Sequence, residues 1–277
     1  MGGHMAKKSA YLVLMMAGLL CNANAPPAPD ESAVERAMRR GLALFLYDQA
    51  AWVSSDDLLA KLPAERRSEI GGWVISPRGD KLHVDFFEKM ELSSVVYSVD
   101  VSGRTLTDAK VYSQNDKPAL QEPALRMAHA LIAARAEMAR RPDWHSCAPA
   151  PFNTVVLPPE KDNVIPVYFL TPQTENGSFP FGGHYEIDVA SDGKIVSARA
   201  FSRSCITLTK ATQPSGTTPS ALVITHLLDS QPTEVHVFEQ FSVGVPVYVG
   251  ITSTHSMWKV ENGQVTQVDD GARATGN

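Results

Sequence analysis

The sequence predicts an α+β chain in which antiparallel sheets built from hairpins carry helices packed on one face. Three observations point there. Helical periodicity and strand-like alternation fall in separate runs, without the regular strand–helix alternation of a parallel sheet. Gly- and Asp-containing turns join the strand runs as hairpins. The order helix-then-strands also recurs along the chain, which suggests repeated blocks.

At the N-terminus Lys7-Lys8 precedes an apolar run over residues 10–20 and then Ala23-Asn24-Ala25. That is the charged, apolar and small-x-small order of a secretory signal peptide, assigned to residues 1–25. The run falls short of the roughly 20 residues of a stable anchor. Residues 1–4 read as a cloning remnant ahead of a start at Met5. Cys21 offers a lipoprotein alternative, in which a lipidated cysteine tethers a structural envelope component. Leu20 before it is larger than a lipidation signal wants.

Residues 31–53 show helical spacing through Val34, Met38, Leu42, Phe45 and Leu46, with Asp30 or Ser32 as cap. Ser55 is read as starting a second helix through Leu62. Runs at 73–75, 82–87, 95–101 and 106–112 form a meander, and 123–140 is the clearest helix. These make an N-terminal unit over 26–141. A proline-rich linker opens a C-terminal α+β unit over 142–277, and the two units also read as one continuous domain. In the second unit, strands are expected at 155–157 and 164–170, and the central hairpin follows at 182–208. Residues 213–219 read as a loop, 220–228 as a short helix, and 235–251 and 257–268 as strands. The hairpin near Tyr97 echoes the one near Tyr185, through duplication or through convergence of half-buried hairpins on one pattern.

The composition is ordinary: 44% hydrophobic and 20% charged, with net charge −5. Losing Lys7 and Lys8 with the leader makes the mature chain more acidic. No basic stripe with interleaved aromatics marks a nucleic-acid partner, and no mature segment reads as transmembrane. Cys147 and Cys205 are expected to pair, as two cysteines in an exported chain usually do.

Enzyme fingerprints are missing, and no cofactor or metal is expected. His184, Glu186 and Asp188 alternate onto one strand face, and Glu234 and His236 onto another. The solvated outer face of a one-sided sheet explains both. The alternative is a metal-dependent or acid–base hydrolase using His184, Glu186 and His236, if the strands converge. Phe238, Phe241, Tyr248 and Trp258 crowd the last strands as core or as a binding groove. The leading expectation is a periplasmic or secreted binding module without catalysis, with an envelope protein, a peptide or a cell-wall fragment as partner.

N-terminal sequencing of protein recovered from the periplasm is expected to find a start between Ala23 and Pro29. Uncleaved cytoplasmic protein contradicts export, and a diacylglyceryl group on Cys21 converts the reading to the lipoprotein.

Overall fold

Ser32 sets the first helix. In the computed structural model, which describes residues 32–160, 163–209 and 220–268, its hydroxyl accepts from the Glu35 N–H at 3.1 Å. The Glu35 carboxylate accepts in turn from the Ser32 N–H at 2.8 Å. The expected signal peptide and the expected 213–219 loop lie outside the described residues. Helix α1 (Ala33–Lys61) then runs unbroken past Ser55, where a restart was expected. Ser54 explains the difference: it is buried and donates to the Ala50 carbonyl at 2.6 Å, inside one continuous helix.

After a 3₁₀ turn at Ala64–Glu69 come β1 (Ile70–Arg78), β2 (Lys81–Glu88), β3 (Val95–Ser102) and β4 (Thr105–Val111). They form the expected antiparallel meander in sequence order. Helix α2 (Ala124–Met138) follows. Next are β5 (Asn153–Val156), β6 (Ile165–Leu170), β7 (Ser178–Pro180), β8 (Tyr185–Val189), β9 (Ile195–Ala200) and β10 (Thr207–Thr209). A second antiparallel sheet has the order β5-β6-β8-β9, while β7 pairs with β10.

The last block corrects the sequence reading twice. Residues expected as a short helix form β11 (Leu222–His226), and those expected as strand begin with helix α3 (Glu234–Val243). Val235 and Val237 alternate as in a strand, which hid the helix. Thr233 at its start and Gly244 in the left-handed region at its end bound it. Strands β12 (Val247–Ile251), β13 (Ser256–Glu261) and β14 (Gln264–Gln267) complete a sheet in which β11 runs parallel to β12, with α3 as the crossover.

Alternation along the strands sends side chains to two cores. Ile75, Val84, Phe86, Tyr97 and Tyr168 meet Leu44, Tyr47 and Ala51 of α1. Val74, Phe87, Val167, Tyr185 and Ile187 meet Met127, Ala128 and Leu131 of α2. The first two sheets therefore bury side chains on both faces, while β4 and β9 stay partly exposed. The described residues form one compact unit, and the α1 core draws on Val155, Phe201, Val235 and Phe238 as well as the meander. The Cys147–Cys205 disulfide is present and ties the proline-rich segment to the chain after β9.

Helices α1 and α3 touch at Gly41. A Cβ there would lie 2.5 Å from the Val237 Cβ and 2.7 Å from the Glu234 carbonyl oxygen, so only glycine permits this approach. Gly41→Val is expected to lower urea-unfolding stability by about 1–3 kcal/mol through overpacking. Unchanged stability would show that α1 and α3 do not meet there.

Candidate functional site

Burial on both sheet faces changes what the polar residues of β8 can be. Tyr185, Ile187 and Val189 point to α2, so His184 and Glu186 point to α1 and α3. Neither is solvated: His184 is 0% exposed and Glu186 3%. Helices occupy the expected solvated face at these two residues, and it stays partly open only at Asp188, whose carboxylate accepts from the Ser197 hydroxyl at 2.8 Å.

Glu186 belongs to a buried ionic centre around Arg40 of α1. Arg40 donates to Glu186 and to the Tyr168 hydroxyl at 2.8 Å, and it grips both oxygens of Glu160 at 3.1 and 2.7 Å. Glu234, the first residue of α3, lies 3.5 Å from the same guanidinium. Tyr168 Oη sits 2.9 Å from one oxygen of Glu186 and 2.9 Å from one of Glu234. A phenol has one proton, so both contacts are hydrogen bonds only when one carboxyl is protonated and donates back. Glu186 suits that role. Burial, and next the Glu234 charge, push its pKa up to about 7 against the pull of Arg40. A cavity of about 350 Å³ opens beside this centre, bordered by Glu186, Arg199 and Asp229.

His184 and His236 have other commitments. The His184 Nδ1 accepts from the Thr171 N–H at 3.2 Å, its Nε2 meets the Pro180 carbonyl at 2.5 Å, and burial lowers its pKa to about 4. His236 lies on α3 and not on a strand. Its Nδ1 accepts from the Thr233 N–H at 3.0 Å, and its ring stands edge-on to His226 at 4.7 Å. Burial, then the His226 charge, lower it to about 3. Both rings are neutral, fully enclosed struts. Among the described residues no three His, Cys, Asp or Glu side chains are grouped to hold a metal ion.

The accessible candidate site lies along α1, where the sequence reading had placed none. Asp48, Gln49, Trp52 and Ser55 form one wall of a groove of about 490 Å³, with Trp73 of β1, Asn153 of β5 and the 172–176 loop opposite. Asp48, Gln49, Trp52, Asn153 and Gln173 also line an adjoining pocket of about 270 Å³, which ends at Phe238, Glu239 and Phe241 of α3. Trp52 is 49% exposed, with Arg104 stacked 4.8 Å over its ring. Two carboxyls meet the inner pocket. Burial pushes Asp48 up to about 6 even though Asn153 donates to it at 3.0 Å. Burial, and then the charge of Asp48, drive Glu239 well above the usual carboxyl range. His184 Nε2 stands 3.5 Å behind Glu239. Two carboxyls held above the usual range by burial, Asp48 and the nearly enclosed Glu239, can serve acid–base chemistry beside the same pocket, while the exposed tryptophan and the amides can serve binding.

The four aromatics singled out in the sequence divide. Phe238 and Phe241 line the inner pocket, where Phe241 stacks on Phe45 at 5.2 Å. Tyr248 and Trp258 belong to the β11–β14 sheet, and the Trp258 Nε1–H donates to Ser256 at 3.0 Å. Trp52 had no sequence signal: one heptad after Phe45, it continues the apolar stripe read over residues 31–53, whereas the helix buries the face of Leu44, Tyr47 and Leu58 and leaves Leu42, Leu46 and Trp52 exposed. Comparison with family models, curated proteins and solved structures finds no match for this chain.

A carboxyl held above its unfolded pKa costs stability as pH rises between the two values, here from about 4.5 to about 7 for Glu186. Glu186→Gln removes that loss and keeps a donor toward Tyr168. Its melting temperature relative to the parent is expected to climb across this window and then level. A difference that stays constant with pH would mean that Glu186 is ionised throughout.

Proposed function

We propose that this chain is an exported envelope protein whose groove binds an extended polar polymer of the cell-wall glycan class. The observation that carries the reading is the groove's composition: an exposed Trp52 and the partly buried Trp73 beside amide and carboxyl side chains, over about 490 Å³. A sugar ring offers an apolar C–H face and a rim of hydroxyls. An indole matches the face, and Gln49, Asn153 and Gln173 match the rim with both donors and acceptors. The leader-like N-terminus and the disulfide fit an oxidising compartment outside the cytoplasm.

A second reading rests on Asp48 and Glu239. Glu239 as acid and Asp48 as base could hydrolyse a glycosidic bond in the inner pocket, the pattern of two carboxyls held in different protonation states. Binding without reducing-end release favours the binder. Release that Glu239→Gln abolishes, with binding kept, favours the hydrolase.

Tryptophan fluorescence titrated with oligomers of N-acetylglucosamine tests the shared premise. Saturable change is expected, weakened at least about tenfold by Trp52→Ala and unaffected by Trp258→Phe. No saturable change, or equal loss in both variants, contradicts the groove as the binding site.

A further inference from the structure

The disulfide is unevenly presented. Cys205 is exposed, while Cys147 is half-buried, and a Cβ on Gly183 would lie 2.4 Å from its sulfur. Gly183 has φ +74°, so the backbone itself closes over that side. A cavity of about 200 Å³ opens at the pair, lined by both cysteines and bordered by Trp144, His145, Tyr185 and Arg203. The His145 Nε2 lies 3.9 Å from the Cys205 sulfur, and its Nδ1 is anchored on the Asp143 carbonyl at 3.1 Å. That anchor turns the free ring nitrogen to the sulfur. The more exposed cysteine beside an oriented imidazole, with its partner half-buried under Gly183, favours attack at Cys205 over attack at Cys147 in thiol–disulfide exchange.

We propose that Cys147–Cys205 is an exchange centre that oxidises dithiol peptides, independent of the Trp52 groove. A substrate thiolate attacks the Cys205 sulfur, forming a mixed disulfide and breaking the bond to Cys147, which takes up a proton. The second substrate thiol then attacks the substrate sulfur of the mixed disulfide. His145 Nε2 takes the proton of that second thiol, Cys205 leaves as a thiolate facing the resulting Nε2–H, and the substrate departs as a disulfide. Two electrons pass from the substrate to the protein, and glutathione disulfide supplied in the assay reoxidises it. Arg203 at the rim adds a positive charge where the incoming thiolate arrives.

The test uses the full chain in native buffer. Dithiothreitol without denaturant is expected to reduce both cysteines while circular dichroism stays native. Catalytic amounts are expected to speed oxidation of a synthetic dithiol peptide by glutathione disulfide. His145→Ala should slow that turnover about tenfold and shift its pH profile, because the leaving thiolate loses its partner. Cys147→Ser should trap glutathione on Cys205. A disulfide that yields only in denaturant, or peptide oxidation no faster than with glutathione disulfide alone, overturns the proposal. Both of those readouts use the unmutated chain and stand even where a cysteine variant fails to fold.

Discussion

Arg40 is the group on which the remaining structure depends. It is 9% exposed, and desolvating an unpaired guanidinium would cost several kcal/mol. Burial alone would favour its neutral form. Tyr168, Glu160 and Glu186 outweigh that and keep it charged. Each partner comes from a different part of the chain: Glu160 follows β5, Tyr168 is on β6, Glu186 on β8 and Glu234 at the head of α3. A buried ion centre is weak support for net stability, because apolar residues of equal volume often do as well. Its effect is on arrangement. With all of these partners satisfied by one cation, α1 has one axial position over the second sheet, and α3 has one position against α1.

The candidate groove inherits that position. Asp48 and Trp52 follow Arg40 on the same unbroken helix, Asp48 about 12 Å further along the axis at 1.5 Å per residue. The groove's other wall, Asn153 on β5 and the loop after β6, belongs to the sheet that supplies Tyr168 and Glu186. The ionic centre thus fixes the two walls relative to each other. Gly41, one residue after Arg40, removes the side chain that would hold α3 and Glu239 away from the groove's inner end.

Much of the fold was legible because its signals are local. Ser32 as one of two cap candidates for α1, the glycine turns of the meander, the α2 periodicity and the pairing of two cysteines all act over short range or by simple arithmetic. The failures have physical causes. Ser55 has the chemistry of a cap, yet the neighbouring Ser54 spends its hydroxyl inside the helix. Val235 and Val237 are poor helix formers individually, and burial against α1 overrides their propensity. For the site, alternation along β8 correctly set His184 and Glu186 on one side. Whether that side met water or helices depended on contacts across the chain. Asp48 and Glu239 carry no motif at all. They come together only because α1 and α3 pack.

The most direct measurement is urea unfolding of Arg40→Met beside Arg40→Met combined with Glu186→Gln and Glu234→Gln. The single variant leaves buried carboxyls without their cation and is expected to lose about 3–5 kcal/mol. The combined variant removes those charges and should recover much of the loss. A loss below about 1 kcal/mol in the single variant, or no recovery in the combined one, would show that the helices are held in place by something other than this centre.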